Sequence, residues 1–229
     1  IVLALVGGLA AWEFSSLLTA ANIRHERALG TAAGVAWLMV VGVTGGSAPE
    51  WEILVLLALV VGAALTVMAR RDAQPLNAVP ATLLVVLYAP FLLSFVLRLL
   101  HGFDGDGRYL VLYMILVVKM TDMGAYFIGS AYGRHKAFPR ISPAKSWEGC
   151  AGGVAVATLV SLGTVWAARG DFGVAQISLV EGIVLGIVLA VTGISGDLLE
   201  SMFKRAAGVK DSGAWIRGMG GVLDVIDSL

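Results

Sequence analysis

Apolar residues fill seven long stretches of this chain, and polar residues gather between them. The stretches fall at roughly 1–21, 31–48, 51–69, 78–100, 109–128, 149–168 and 178–196. Each approaches the ~20 helical residues that cross a bilayer. Runs such as Ile53 to Val61 and Gly182 to Val191 carry no polar stripe, and a helix apolar all round is buried in protein or lipid. Backbone groups in lipid must bond internally, which leaves helices or closed barrels, and these runs are too long for barrel strands. The pattern therefore predicts an all-α fold, a polytopic transmembrane helical bundle with seven spans visible. Ile1 already lies inside an apolar stretch, and a new segment begins around Asp227-Ser228-Leu229. Both features predict a chain truncated at both ends.

Composition agrees with a lipid-embedded protein. The chain is 58% hydrophobic and only 14% charged, with a mean hydropathy of +0.87, whereas a soluble domain needs far more polar surface. The formal net charge of zero argues for no nucleic-acid partner. The single cysteine, Cys150, excludes an intrachain disulfide and a cysteine-based metal knuckle. It reads as a packing residue.

Loop charge predicts the orientation. Alternate loops near 22–30, 70–77, 129–148 and 197–229 hold Arg24, Arg27, Arg70, Arg71, Arg134, Lys136, Arg140, Lys145, Lys204, Arg205, Lys210 and Arg217. The opposite loops and their margins hold only Arg98, Arg108 and Arg169, and carry Glu50, Glu52, Asp104, Asp106, Asp171 and Glu181. By the positive-inside rule the basic loops face the cytoplasm. The chain divides by content into residues 1–108, transmembrane helices alone, and 109–229, transmembrane helices with cytoplasmic polar segments.

Four polar groups need explaining. If the seventh span continues as helix, Asp197, Glu200, Ser201 and Lys204 fall at i, i+3, i+4 and i+7 on one face. They suit either an interfacial amphipathic helix or a site. Further on stand Lys210-Asp211-Ser212-Gly213, Gly218-Met219-Gly220-Gly221, Asp224 and Asp227. The glycines allow a sharp turn or a close approach to phosphate, and in a helix Asp224 and Asp227 share a face. Paired carboxylates beside lysines suit Mg²⁺ held together with substrate phosphates; a glycine turn with an N-capping aspartate is the structural alternative. Arg134 through Gly149, with Pro139 and Pro143, reads as a loop. It is either a basic segment near anionic lipid or a phosphate-binding lid. Lys119 and Asp122 sit within the fifth span, where ionisable groups are costly and functional by default. Glu13 in the first span is a weaker case, its depth unknown.

In that order the clusters resemble the phosphatidate cytidylyltransferase family, the CDP-diacylglycerol synthases. The C-terminal motif of that family matches Ser201-Met202-Phe203-Lys204-Arg205, Lys210-Asp211-Ser212-Gly213, Gly218, Gly220-Gly221, Asp224 and Asp227. Asp122-Met123-Gly124-Ala125-Tyr126 and Ile141 through Gly149 resemble two further blocks. The family's usual Pro, His and Arg are replaced here by Arg217, Met219 and Val225. Met219 cannot relay a proton, and Val225 removes one phosphate contact.

The resemblance implies transfer of CMP from CTP to phosphatidate, giving CDP-diacylglycerol and pyrophosphate. It implies a multi-pass protein of the cytoplasmic membrane, with the active site on the cytoplasmic side and CTP, phosphatidate and the bilayer as partners. Asp197 and Asp224 become Mg²⁺ ligands, with Asp211 and Asp227 beside them and a second cation left open, as is a homodimer. Lys204, Arg205 and Lys210 become phosphate-binding groups. Ser142, Lys145 and Ser146 hold the triphosphate or the lipid headgroup, Ser201 joins the substrate site, and Asp122 lines the polar cavity. Two alternatives remain at this level. One is another CTP-dependent lipid-activating enzyme, a polyprenol kinase or archaeal-type lipid cytidylyltransferase. The other is a transporter with Lys119 and Asp122 on an ion path.

Overall fold

The protein is described by a computed structural model covering residues 1–69, 75–101, 106–213 and 220–228. Seven of its helices are long and apolar enough to cross a membrane. They are α1 (Val2–Ala20), α2 (Arg27–Thr44), α3 (Pro49–Ala69), a span over Asn77–His101, α6 (Arg108–Tyr132), α7 (Trp147–Ala167) and α8 (Leu179–Ala206). The span over Asn77–His101 is built from α4 (Pro75–Val86), a π-helical turn (Leu87–Phe91) and α5 (Leu92–His101). Pro90 sits in that turn, where a missing N–H favours a local widening of the helix. Large apolar side chains stand exposed along α3, among them Ile53, Leu54, Leu57, Val61 and Leu65. On a helix of this length they are the lipid-facing surface of a multi-pass membrane protein.

Span boundaries shift where local chemistry decides them. The second helix begins at Arg27 and stops at Thr44, because Gly45 and Gly46 take left-handed φ values of 63° and 80°. Glu50 and Glu52 lie in the first turn of α3, where carboxylates suit the positive end of the helix dipole. The fifth helix runs on to Tyr132 and the seventh to Ala206. The expected loop over Arg134 to Gly149 is a small antiparallel hairpin, β1 (Lys136–Phe138) with β2 (Ser142–Ser146), leading directly into α7. A two-stranded ribbon has only edges, so Pro143 is tolerated within β2. The last helix, α9, spans only Val222–Ile226.

The described chain forms two compact units. One comprises 1–102 with 203–225, the other 103–202 with 226–229. The C-terminal polar segments contribute to both units. In the first unit, Gly8 lies against Val35 and Gly34 against Pro90. These small residues let α1, α2 and the π turn approach closely. Arg27 stacks over Trp12 at 3.5 Å and bonds Ser16 at 2.7 Å. The buried aliphatic and aromatic residues Ala4, Trp37, Leu38, Val41, Leu93 and Leu97 pack the centre.

In the second unit α6 and α7 pack through small residues, Gly124 against Val156 and Gly153 against the Thr121 carbonyl. A polar relay locks these helices to α8. Tyr113 and Ser161 hydroxyls share a 2.6 Å hydrogen bond, and Ser161 donates to the Gly182 carbonyl at 2.5 Å. In a lipid-excluded interior such interhelical bonds contribute on the order of 1 kcal/mol each. Close approach of Gly193 and Gly196 to the backbone of Ser228 and Asp227 brings the described C-terminus against α8.

Candidate functional site

The continuation of α8 to Ala206 places Asp197, Glu200, Ser201 and Lys204 on one face of a single helix, as the i, i+3, i+4, i+7 spacing requires. Each compact unit holds part of the polar machinery.

In the second unit the hairpin meets α8. Lys145 of β2 places Nζ 2.7 Å from Asp197 Oδ2, and reaches the Ile194 carbonyl at 3.4 Å. Both side chains are largely enclosed, at 19% and 28% exposure. Ser201 donates to Asp197 Oδ1 at 3.4 Å. The hairpin is pinned at its base by Glu148, which accepts from the Arg134 and His135 amides and bonds His135 Nδ1 at 2.6 Å. Ser146 is buried and caps α7, its Oγ accepting the Gly149 N–H at 3.1 Å. Its first job is therefore local, while Ser142 remains half-buried in β2.

Asp227 lies beside this group. It follows α9 rather than continuing it, so the expected shared helical face with Asp224 is not formed. The helix ends after five residues because its chain is drawn onto α8 at Gly196, and Ser228 accepts a hydrogen bond from Lys119 at 3.0 Å. Lys119 also stands 3.9 Å from Asp122 Oδ2. Burial pushes the Asp227 carboxyl up to about 6, and the negative charges of Asp197 and Asp122 push the same way; a hydrogen bond with Glu200 and the charge of Lys119 oppose them. Asp197, Asp227, Asp122 and the fully buried Glu200 thus form an electronegative group of oxygen donors with Lys145 and Lys119 on its margin.

The first unit holds Lys204 and Asp224. Lys204 Nζ lies 2.7 Å from Asp224 Oδ1, with side-chain exposures of 13% and 10%. Asp224 Oδ2 accepts from the Ser212 N–H at 3.0 Å, the Ser212 hydroxyl at 2.8 Å and the Gly221 N–H at 2.7 Å. Burial alone would raise the Asp224 pKa, but the hydrogen bonds from Lys204, Gly221 and Ser212 outweigh it and hold it below the usual carboxylate range. Gly220 has φ +89° and Gly221 is buried between carboxylates, so a Cβ at either would meet an oxygen at 2.5 Å. These two glycines are therefore fixed by backbone shape. Arg205, Lys210 and Asp211 are exposed, with Arg205 Nη1 reaching the Val209 carbonyl at 3.4 Å. Arg217, Gly218 and Met219 lie outside the described residues, as do Arg70, Arg71 and Asp104.

Glu13, which stands alone in the sequence of the first span, is a functional candidate in the structure. It is 2% exposed, and it accepts from the Val222 and Leu223 amides at 2.9 and 2.7 Å. Its only sequence signal is a lone carboxylate in an apolar span, which names no partner.

A family model described as the cytidylyltransferase family matches residues 1–229. A phosphatidate cytidylyltransferase of Haemophilus influenzae is 43% identical over 123 residues, 54% of this chain and 42% of the relative. One of Mycobacterium leprae is 36% identical over 149 residues, 65% and 45% of the two chains. One of Staphylococcus saprophyticus is 44% identical over 129 residues, 56% and 48%. The chain spans about half the length of the curated relatives it matches. With the match to the family model running from the first residue to the last, the chain belongs to the cytidylyltransferase family.

Proposed function

We propose that the protein transfers CMP from CTP to phosphatidate, forming CDP-diacylglycerol and releasing pyrophosphate. The observation that carries this reading is the polar face of α8, with Lys145 on Asp197 and Asp224 on Lys204, in a chain of this family whose relatives are phosphatidate cytidylyltransferases.

The chemistry needs little acid–base help. A phosphate oxygen of phosphatidate is already anionic near neutral pH. It attacks the α-phosphorus of CTP, a new P–O bond forms, and the bond to the β-phosphate oxygen breaks. The electron pair leaves with pyrophosphate, so no proton has to be removed from the nucleophile. The difficulty is to bring two polyanions together and to hold charge that moves onto the leaving group.

Lys204, Lys145, Arg205 and Lys210 supply positive charge for the phosphates. Lys145 and Lys204 are held in place by their aspartates, which keeps these ammonium groups oriented before substrate arrives. Arg205 and Lys210 are exposed and meet the nucleotide as it enters. Ser142 and Ser201 offer hydroxyl donors, and Ser146 fixes the hairpin against α7. Asp122 closes the electronegative group from the α6 side.

The residues fit Mg²⁺ in the chemistry of their donors. Asp197 and Asp227 are hard oxygen ligands, and burial with the nearby charges of Asp197 and Asp122 raises the Asp227 pKa. Mg²⁺ is commonly held by one or two carboxylates plus substrate phosphates rather than by a protein cage, and among the described residues no such cage of three or more ligands is formed. On the resemblance to the family, Asp197 and Asp224 are the ligands we assign, with Asp211 and Asp227 as further candidates; Asp224 would offer Oδ1 on releasing Lys204. Bound Mg²⁺ would neutralise triphosphate charge in the transition state.

The distribution of basic residues among the loops supports a cytoplasmic side of the cytoplasmic membrane for this chemistry, where CTP would arrive by diffusion while acyl chains stay in lipid. The test is radiolabelled CTP with the full-length protein and a panel of lipids. Labelled CDP-diacylglycerol from phosphatidate supports the reading. Phosphorylated polyprenol with release of CDP, or product only from archaeal-type lipid, replaces it.

A further inference from the structure

A carboxylate in the first span is held by three groups of the C-terminal glycine motif. Glu13 Oε1 accepts the Val222 N–H at 2.9 Å; Oε2 accepts the Leu223 N–H at 2.7 Å and stands 3.5 Å from the Ser212 hydroxyl. These are the first two amides of α9, which no carbonyl of the helix itself can satisfy. An N-cap side chain normally takes this role. The residue before α9 is Gly221, which has no side chain, and the space of its Cβ is filled by Glu13 and Ser212. Asp224, third in the helix, reaches back to the Gly221 N–H and so completes the other half of a capping box. Glu13 therefore supplies from α1 the cap that the motif lacks.

The neighbouring residue strengthens the tie. Phe14 packs edge-on against Phe203 at 5.1 Å and in a tilted stack against Tyr88 at 4.6 Å. Phe203 directly precedes Lys204. One turn of α1 thus touches the chain beside Lys204 and the turn that carries Asp224.

We propose that Glu13 is a positioning residue, which fixes the Gly220-Gly221 turn and through it the Asp224–Lys204 pair. Its consequence for catalysis rests on the cytidylyl-transfer reading above; the tie itself does not. A carboxylate is required because two amides use different oxygens. Glutamine has one oxygen and one NH₂, so either amide orientation sets a donor against a backbone N–H.

The experiment uses the full-length protein in detergent or nanodiscs, with turnover normalised to the monodisperse folded fraction. Amide exchange is read at Ser212 and Gly221, whose acceptor is Asp224 and not Glu13. Glu13→Gln should speed exchange at both and lower kcat by roughly tenfold to a hundredfold, the scale of loss for a displaced group. Val222→Pro supplies a second, independent arm. It removes one of the two amides at a helix position that accepts proline, so in that background the glutamine can turn its NH₂ toward the vacated place. Val222→Pro should therefore rescue much of the Glu13→Gln loss. A folded Glu13→Gln protein with wild-type turnover and protected Ser212 and Gly221 amides would overturn the proposal. So would a Val222→Pro change whose effect simply adds to that of Glu13→Gln. Absence of CDP-diacylglycerol formation by the wild type would instead remove the activity reading, and the exchange data would still decide the tie.

Discussion

Replacing Asp224 with asparagine separates the charge of this residue from its role as a cap. Oδ2 receives three hydrogen bonds, from the Ser212 amide and hydroxyl and from the Gly221 amide. An asparagine oxygen in the same place keeps those bonds. What is lost is the 2.7 Å contact to Lys204, which then faces an amide NH₂ at a position where the lysine is only 13% exposed. A hydrogen bond to a charged group contributes about 1.5–3 kcal/mol, and solvent at the edge of the site pulls this toward the lower end. The expected stability cost is therefore about 1–2 kcal/mol. Catalysis should suffer more, because the change removes the orientation of Lys204 and, on the proposed function, a metal ligand. A loss of about 3 kcal/mol in the transition state corresponds to roughly a hundredfold in rate. The stability cost also has a pH signature. The Asp224 pKa is depressed in the folded protein, so its contribution is present above the unfolded value near 3.9 and fades as pH falls through the folded value. The Asn cost should hold from pH 8 to 5 and shrink in stronger acid. The assays are thermal unfolding in detergent across pH and CDP-diacylglycerol formation by the folded fraction. Near-normal turnover with a stability loss of about 1 kcal/mol or less would show that Asp224 is a cap alone and would sink the reasoning.

Other consequences follow from the same geometry. Asp227 has its pKa raised to about 6 by burial and by the charge of Asp197 and Asp122, so its cost to folding builds as pH rises from the unfolded value near 3.9 and is complete above about 6; Asp227→Asn should stabilise the Mg²⁺-free protein by up to about 3 kcal/mol at pH 7.5 and by little near pH 4, and an equal gain at both pH values would contradict this. Lys145→Met should weaken CTP use by roughly tenfold or more and leave membrane insertion intact, and full activity would show that the Lys145–Asp197 pair only fastens the hairpin. Cysteines placed at Asp106 and Lys136, at opposite ends of the roughly 37 Å helix α6 and with Cys150 replaced, should label from opposite sides of the membrane. Labelling of both from one side would overturn the orientation drawn from loop charge.

The fold was readable because a lipid-facing helix carries its signal in every residue. Ile53 to Val61 needs no partner to be recognised, and the spans fall where hydropathy placed them. Helix ends were less legible. Thr44 ends α2 because Gly45 turns left-handed, and α8 runs on to Ala206 because Lys204 and Asp197 find partners beyond it. The hairpin over Lys136 to Ser146 reads as loop in the sequence, since two short strands with Pro139 and Pro143 have no alternating pattern to show. In the site, the spacing of Asp197, Glu200, Ser201 and Lys204 foretold their common face. Spacing could not foretell which partners they take. Lys145 reaches Asp197 across 52 positions of sequence, and Glu13 meets Val222 across 209. The common face expected of Asp224 and Asp227 failed because tertiary contacts to α8 end α9 after Ile226.

We propose that this polar machinery moves CMP from CTP onto phosphatidate with the help of Mg²⁺ and two aspartates. It is tested most directly by following labelled CDP-diacylglycerol from the full-length protein across a Mg²⁺ titration, wild type against Asp197→Asn and Asp224→Asn. Product should rise with Mg²⁺ in the wild type and fall by roughly a hundredfold or more in each variant. Undiminished product in excess EDTA, or near-normal rates in both variants, would contradict it.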